Sequence, residues 1–208
     1  MRPSAHPKDA IVYIVDDDLS IREALSSLVR SVGMNVETYS SAAEFLERRH
    51  GEAPGCLVLD IRMPGMTGLE LQQSLNRSDA GIPIIFITGH GDIPISVRAM
   101  KNGAVEFLTK PFNEKDLLGV IAQAVTKHRL DLSQRSELAD LRALFQSLTP
   151  REREVYAWVS KGLPNKQIAI ELGTAEITVK IQRAQVMKKM KVESLADLVK
   201  VYERLRPQ

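Results

Sequence analysis

Five short apolar runs alternate with amphipathic stretches along the first half of the chain, and few folds accommodate this pattern. Each run lasts four to six residues, and several are apolar almost throughout, as expected of strands buried on both faces. The stretches between them have helical periodicity. The pattern predicts an α/β domain over residues 1–127, built on a five-stranded, doubly wound parallel sheet. The runs are Ala10–Val15, Asn35–Tyr39, Cys56–Leu59, Ile82–Ile87 and Val105–Leu108.

The strand pattern stops after residue 127. Leu138, Leu141, Phe145 and Leu148 then recur at spacings of three and four, with charged residues opposite them. This pattern predicts a linker helix over residues 128–146. Its apolar stripe has two possible uses, packing against its own domain or binding a partner.

Residues 147–208 carry the start signals of several short helices. Thr149 supplies an N-cap hydroxyl, a proline follows it, and Glu152 stands three positions after the cap. Ser194 and Asp197 repeat the capping pattern. These signals, with no strand pattern between them, predict an all-α domain of four helices.

Two of these helices form a helix-turn-helix pattern. Asn165 is expected to cap a helix over residues 166–172, and Gly173–Glu176 then makes a tight turn. A longer helix follows and ends near Met190. Two helices around such a turn are typical of a DNA-binding motif.

The charges divide the chain in the same way. The formal net charge is only +2, but residues 1–127 carry 13 basic and 16 acidic side chains, whereas residues 128–208 carry 15 and 10. Residues 160–191 alone hold seven basic and two acidic side chains. An acidic module joined to a basic one indicates two different partners, with nucleic acid at the basic end.

Several classes of protein are excluded by composition. The single cysteine, Cys56, excludes an internal disulfide framework and a cysteine-rich zinc site. No apolar run approaches the roughly 18 residues that span a bilayer, and residues 1–9 lack a signal-peptide core. We therefore expect a cytoplasmic protein without membrane association.

Polar side chains follow the predicted strands at their carboxyl ends, where open α/β sheets bind ligands. Three aspartates follow the first run, Asp60 follows the third, Thr88 the fourth and Lys110 the fifth. Clustered carboxylates repel one another, and Mg²⁺, which prefers oxygen ligands and suits phosphate chemistry, relieves that repulsion. One carboxylate can then act as a nucleophile toward a phosphoryl group, while a hydroxyl and an ammonium bind its oxygens.

These polar residues belong to four segments, which are Val15–Asp18, Leu59–Pro64, Ile87–Asp92 and Phe107–Phe112. Together the segments resemble the receiver domain of two-component response regulators, which has a flavodoxin-like sheet. The resemblance implies that Asp60 is the phosphoacceptor and that Thr88 and Lys110 bind the phosphoryl group. It also implies that the Lys110–Pro111 peptide bond is cis and that Phe107 is the switch aromatic coupled to Thr88. The Mg²⁺ ligands that it implies are Asp16, Asp17, Asp60 and the backbone carbonyl of Arg62.

The long helix of the helix-turn-helix has an apolar face and a basic face. Val179, Val186 and Met190 share the apolar face at spacings of seven and four. The opposite face presents four residues to a major groove, where a lysine can donate to guanine and apolar groups can touch thymine methyls. These four are Lys180, Ile181, Ala184 and Lys188. The side chains expected to bind phosphates are Lys166, Thr178, Arg183 and Lys189.

Three segments resemble the LuxR/NarL-type DNA-binding domain: Leu148–Glu154, Gly162–Ala169 and Thr178–Lys180. The order of receiver, linker and DNA-binding domain (residues 147–208) resembles FixJ-type transcriptional activators. The chain departs from the usual pattern at Ala175, where a serine cap is common, and at Gln182, where a histidine is common. Loss of a cap costs about 1 kcal/mol, and we expect Thr174 to replace it by shifting the helix start.

Together the resemblances imply a phosphorylation-activated transcriptional regulator. A sensor histidine kinase donates the phosphoryl group, and the phosphorylated chain binds promoter DNA as a homodimer and acts on RNA polymerase. Such a chain is not an enzyme beyond slow self-dephosphorylation.

Two alternatives stay open. One is a constitutive DNA-binding regulator with a vestigial receiver. The other is a haloacid-dehalogenase-type phosphatase, whose nucleophile motif is similar to residues 16–18, although residues 91–96 lack the second carboxylate of that family and no cap domain is available. A phosphate-binding loop of the G-x-x-x-x-G-K-[ST] type is absent from the sequence, so ATP is not expected as a direct substrate.

Overall fold

The computed structural model describes residues 9–48, 51, 53–78, 81–89 and 93–206. The chain divides into two compact units, Met1–Leu132 and Ser133–Gln208. None of the helices in the described ranges is long and apolar enough to cross a membrane.

The first unit contains the predicted sheet of five parallel strands. Their order across the sheet is β2-β1-β3-β4-β5, so β1 lies between β2 and β3 and every neighbouring pair is parallel. The strands are β1 (Ile11–Val15), β2 (Asn35–Tyr39), β3 (Gly55–Asp60), β4 (Ile84–Thr88) and β5 (Glu106–Thr109). The predicted fold class is confirmed.

Helices cover both faces of this sheet. They are α1 (Leu19–Ser31), α2 (Ala42–Glu47), α3 (Gly68–Arg77), α4 (Ile93–Lys101) and α5 (Glu114–Gln146). The side chains of Asp18, Ser41 and Thr67 cap the first three, because each accepts hydrogen bonds from backbone N–H groups that have no partner inside the helix.

Each face of the sheet has its own hydrophobic core, because alternate residues of a strand point to opposite faces. On β1, Tyr13 and Val15 belong to one core, and Val12 and Ile14 belong to the other. Helices α2, α3 and α4 contribute to the first core, and α1 and α5 to the second. Burial on both faces explains why the strand segments are apolar almost throughout.

The stretch expected to form a separate linker helix is the second part of α5, which runs unbroken from Glu114 to Gln146. The sequence between these residues has no proline and only one glycine, Gly119, so nothing ends the helix near residue 128. In the second unit, Leu144 and Phe145 pack against the hydrophobic core, and Leu148 is buried. The end of the helix therefore packs against the domain that follows it.

The second unit adds four helices, α6 (Pro150–Ser160), α7 (Asn165–Glu171), α8 (Glu176–Lys189) and α9 (Leu195–Leu205). Thr149 and Glu152 form the predicted capping box at α6, and Ser194 caps α9. The predicted all-helical domain with its helix-turn-helix is confirmed.

Two predicted helix starts are wrong. Asn165 does not cap α7, because the carbonyl of Pro164 already accepts from Ile168 N–H at 3.1 Å and Asn165 is the first helical residue. Thr174 does not shift the start of α8, which begins after Ala175 with no side-chain cap. The N–H of Thr174 donates to the carbonyl of Ala169 at 2.9 Å and so closes the end of α7.

Glu152 joins two helices of the second unit, and its loss is expected to be costly. Its carboxylate accepts from Thr149 N–H at 2.8 Å and from the Lys189 ammonium at 2.6 Å. We expect Glu152→Ala to lower the free energy of unfolding by about 2 kcal/mol. Glu152→Gln keeps a capping side chain and should cost less. Trp158, the only tryptophan of the chain, lies in α6 and reports urea unfolding by fluorescence.

The same contacts give this contribution a pH dependence. The hydrogen bonds from Lys189 and Thr149 hold the pKa of Glu152 below its ordinary value. A lowered pKa means that the stabilisation is present above the pKa of the unfolded chain and is lost as the pH falls through that of the folded chain. The difference between wild type and Glu152→Ala should therefore shrink in acid. Equal stability of the two proteins at pH 7 would contradict this account of Glu152.

Candidate functional site

The predicted polar residues of the first unit lie at one edge of the sheet. Asp16 directly follows β1, Asp60 ends β3, Thr88 ends β4 and Lys110 directly follows β5. Since β1, β3, β4 and β5 are neighbours and parallel, their carboxyl ends meet. Asp16 is 1% exposed, Asp60 7% and Thr88 1%. The sequence therefore correctly predicted a polar cluster here, and the structure shows that it is buried.

Lys110 connects the two buried carboxylates. Its Nζ donates to Asp16 Oδ2 at 2.8 Å and to Asp60 Oδ1 at 3.0 Å. The other oxygen of each carboxylate accepts a backbone N–H, from Asp18 at 2.9 Å and from Arg62 at 2.6 Å. The Lys110–Pro111 peptide bond is cis, as the resemblance implied. Both carboxylates are thus fixed in position by hydrogen bonds.

Burial changes the proton affinity of this pair. It raises the pKa of Asp60 above its ordinary value, although hydrogen bonds from Lys110 and Arg62 act in the opposite direction. Burial alone would lower the pKa of the Lys110 ammonium, but its bonds to Asp16 and Asp60 outweigh burial and raise that pKa. Lys110 therefore stays charged, and Asp60 is a carboxylate in a site that disfavours its charge.

A glycine brings α3 against the backbone of Asp60. Gly68 is the first residue of α3, and its N–H donates to the carbonyl of Ile61 at 3.0 Å. A Cβ at this position would overlap the carbonyl oxygen of Asp60. Only glycine permits this close approach, which positions the loop that carries Arg62.

The residues present fit a hard divalent cation only in part. The buried carboxylates of Asp16 and Asp60 lie on either side of one ammonium, and their oxygens are the ligands that Mg²⁺ prefers. Asp17 is exposed, and Asp18 caps α1. Within the ranges that the structure describes, no group of three or more histidine, cysteine, aspartate or glutamate side chains is arranged to hold a metal. The structure therefore brings together two of the three predicted carboxylate ligands.

Two further residues of the receiver-like segments have defined positions. Thr88 is paired in register with Thr109, and Phe107 with Phe86, between the neighbouring strands β4 and β5. Phe107 is half-buried and packs against one of the two cores. Residues 90–92, the end of the segment Ile87–Asp92, lie outside the described residues.

A contact of α1 with this site was not predicted from the sequence. Arg22, in α1, donates from Nη1 to the backbone carbonyl of Asp16 at 2.6 Å. Asp18 also binds this turn, since its carboxylate accepts the N–H of Ser20 at 2.8 Å. The only signal in the sequence is a basic residue one turn after the capping aspartate, which is too common a pattern to interpret.

The second unit presents the predicted two-faced helix α8. Val179 and Val186 are fully buried and Met190 is 1% exposed, so the apolar face is confirmed. On the opposite face Ile181 is 57% exposed, and Lys180, Ala184 and Lys188 are exposed. Lys166, at the start of α7, is exposed too, and Thr178 is half-buried.

Two of the predicted phosphate-binding side chains already have partners inside the unit. The Lys189 ammonium is 2.6 Å from the carboxylate of Glu152. The guanidinium of Arg183 donates to Asn165 Oδ1 at 3.1 Å. The structure therefore gives both residues a role in holding α8 against its neighbours.

One exposed apolar residue of α8 was not predicted from the sequence. Ile177 is 62% exposed and stands four positions before Ile181. The signal was present in the helical spacing, because residues four apart share a helix face.

The comparisons with known proteins assign both units. Residues 12–122 match the response regulator receiver domain, and residues 146–202 match the LuxR family of bacterial regulatory proteins. The chain belongs to the response regulators that join a receiver domain to a LuxR-family DNA-binding domain, and it is a transcriptional regulator of the two-component type. These matches set aside the phosphatase alternative.

Individual relatives extend over nearly the whole chain. Nodulation protein W of Bradyrhizobium diazoefficiens is 52% identical over 94% of this chain and 86% of its own length. The response regulator protein TmoT of Ectopseudomonas mendocina is 49% identical over 99% of this chain and 93% of its own length. Among solved structures, the response regulator StyR is similar at 52% identity, with a TM-score of 0.87 over 94% of this chain and 99% of that one.

Proposed function

We propose that Asp60 accepts a phosphoryl group from the phosphohistidine of a sensor histidine kinase. The observation that carries this proposal is the buried Asp60 carboxylate, 3.0 Å from Lys110 at the strand ends. A carboxylate oxygen of Asp60 forms the new bond to phosphorus, and the phosphorus–nitrogen bond to the histidine breaks, with its electron pair left on the imidazole. The protein contributes positioning and charge neutralisation rather than acid–base chemistry.

Mg²⁺ is the cofactor in this proposal. Its ligands would be the carboxylates of Asp16, Asp17 and Asp60 and the backbone carbonyl of Arg62. The cation supplies neutralisation of the negative charge on the phosphoryl group. Asp16 and Asp60 both bind Lys110, and each carboxylate has more acceptor sites than its hydrogen bonds use, so a cation would share these carboxylates with the ammonium.

Lys110 and Thr88 then bind the phosphoryl oxygens. Lys110 needs little movement, because it already contacts Asp60, and its raised pKa keeps it charged. Thr88 lies on the neighbouring strand, paired with Thr109 of β5, and Phe107 is two residues earlier on β5. We propose that a shift of Thr88 toward the phosphoryl group repositions Phe107, and that this biases a two-state equilibrium.

Titration of Asp60 in the metal-free protein tests its environment. Burial raises the pKa of Asp60 above the ordinary value of 3.8. We expect the carboxyl carbon of Asp60, followed by NMR, to titrate with a midpoint above that value. Mg²⁺ should lower the midpoint, because a nearby cation favours the carboxylate. A midpoint at or below 3.8 without metal would contradict the description of this site.

In the second unit, we propose that α8 enters the major groove of promoter DNA. Lys180 donates to guanine edges, and Ile181 and Ala184 contact thymine methyls. The exposed ammonium groups of Lys166 and Lys188 are available to the DNA. Thr178, Arg183 and Lys189 complete the proposed set of contacts, although the last two must do so while they hold α8 against its neighbours.

Phosphorylation releases the DNA-binding domain, and the protein binds DNA as a homodimer that acts on RNA polymerase. A protein with these partners acts in the cytoplasm. Hydrolysis of the aspartyl phosphate is slow, and the chain is not otherwise an enzyme. Light scattering with Mg²⁺, with and without beryllofluoride as a phosphoryl mimic, tests this. We expect a monomer that becomes a dimer. A mass that stays that of a monomer, even with promoter DNA present, would overturn the proposed assembly.

A further inference from the structure

The exposed face of α8 carries an apolar stripe with two exposed lysines beside it. Ile177 is 62% exposed and Ile181 is 57% exposed, and they stand four positions apart, so they share one face of the helix. Ala184 continues this face three positions further on and is also exposed. Lys180 and Lys188 are exposed beside them.

The apolar stripe is not part of the hydrophobic core of the second unit. The core side of α8 is filled by Val179 and Val186, both fully buried, and by Met190 at its end. Ile177 and Ile181 are not among the residues packed against that core. Two isoleucines on the far side of the helix keep apolar area in water, which costs free energy unless a ligand covers it.

Charge decides which ligand fits. An apolar surface flanked by lysines is complementary to a polyanion that also presents apolar groups. The DNA major groove is such a surface, because thymine displays a C5-methyl group there among the phosphates of the two strands. An apolar surface of another protein would leave the lysines without a counter-charge.

The spacing of the two isoleucines sets a distance along the DNA. Residues four apart in an α-helix are separated by about 6 Å along its axis. Successive base pairs are about 3.4 Å apart. Two side chains at this spacing therefore reach methyl groups about two base-pair steps apart when the helix follows the groove.

We infer that Ile177 is a specificity-determining residue, which together with Ile181 contacts the methyl groups of two thymines about two base-pair steps apart in each DNA half-site. The inference rests on the proposed DNA binding by α8 and extends it to a residue at the very start of that helix. Recognition helices of this motif contact bases with their N-terminal residues, which is where Ile177 stands.

Replacement of thymine by uracil tests the inference, because uracil lacks only the C5-methyl group. The full chain, with Mg²⁺ and beryllofluoride, is used to select duplexes from a randomised pool. The selected duplex is then prepared with uracil at one thymine position at a time, and its affinity is measured by fluorescence anisotropy. We expect the wild type to lose about four-fold in affinity at each of two positions in each half-site, as for one buried methyl group.

Three variants show which isoleucine contacts which thymine. Ile177→Ala should lose its sensitivity to uracil at only one of the two positions in each half-site, and Ile181→Ala at the other. Ile170→Ala is the matched control, because Ile170 is 72% exposed but lies on α7, and it should keep both sensitivities. Unfolding followed by Trp158 fluorescence checks that each variant is folded.

The outcomes separate this inference from the function on which it rests. Equal affinity of the wild type for the thymine and uracil duplexes would overturn the role of the isoleucines while leaving DNA binding in place. An Ile177→Ala protein that keeps the wild-type response at both positions would overturn the role of Ile177. If no duplex is enriched from the pool, the proposed DNA binding fails, and this inference fails with it.

Discussion

Asp60→Asn is expected to abolish uptake of a phosphoryl group. The amide keeps the size of the side chain but has no carboxylate oxygen to attack phosphorus. With acetyl phosphate and Mg²⁺, intact-mass spectrometry should show one added phosphoryl group on the wild type and none on the variant. The site offers no substitute, since the other buried carboxylate, Asp16, is fixed by Asp18 N–H and Lys110.

Asp18→Asn is the matched control for this loss. Asp18 is a neighbouring carboxylate, but its side chain caps α1 by accepting from Ser20 N–H, and asparagine caps helices as well as aspartate does. The control should therefore be phosphorylated like the wild type. A phosphoryl group on Asp60→Asn at the wild-type level would contradict the assignment.

Asp60→Asn should not be less stable than the wild type at neutral pH. Burial raises the pKa of Asp60, so the folded protein disfavours the charged side chain more than the unfolded chain does. The stability that comes with a neutral Asp60 is present below the pKa of the unfolded chain and is lost as the pH rises through that of the folded chain. Asparagine is neutral at every pH. We expect the unfolding temperature of Asp60→Asn at pH 7 to equal or exceed that of the wild type. The loss of phosphorylation in this variant would then not result from a loss of folding.

Lys180→Glu is expected to weaken DNA binding about a hundred-fold. Lys180 is exposed on α8. The substitution removes its proposed base contact and places a negative charge near the phosphates. Anisotropy measurements with a duplex selected by the wild type give the affinity of both proteins. Because Lys180 makes no ion pair in the described part of the second unit, the substitution should leave unfolding by urea nearly unchanged.

The control for this prediction is Lys200→Glu. Lys200 lies on α9, its side chain is 76% exposed, and it makes one long ion pair with Asp197 at 3.5 Å. The net charge of the protein changes by the same amount in both variants. If Lys180 contacts the DNA, Lys180→Glu should weaken DNA binding much more than Lys200→Glu does. Equal losses in the two variants would show that the total charge, rather than α8, determines binding.

The sequence was a good guide wherever a pattern of neighbouring residues determines the structure. The alternation of apolar runs predicted five parallel strands because strands buried on both faces leave that pattern, and the carboxyl ends of those strands placed Asp16, Asp60 and Lys110 together. The start of α6 was equally readable, because the capping box of Thr149 and Glu152 is made within four residues.

The features that the sequence did not predict depend on contacts between distant residues or on a helix that no residue ends. Nothing in the sequence indicated that Lys189 pairs with Glu152 or that Arg183 binds Asn165, because these partners meet only after α6, α7 and α8 pack. The unbroken α5 was missed because the predicted boundary rested on the end of the strand pattern and not on a residue that ends a helix.

We propose that phosphorylation of Asp60 controls DNA binding. The most direct measurement is the affinity of the full chain for one selected duplex, with Mg²⁺, with and without beryllofluoride, in the wild type and in Asp60→Asn. We predict that beryllofluoride tightens binding by the wild type by about five-fold to a hundred-fold, the usual range of coupling between two sites, and leaves Asp60→Asn unchanged. Equal affinity of the wild type under both conditions would contradict the claim and favour a constitutive regulator with a vestigial receiver.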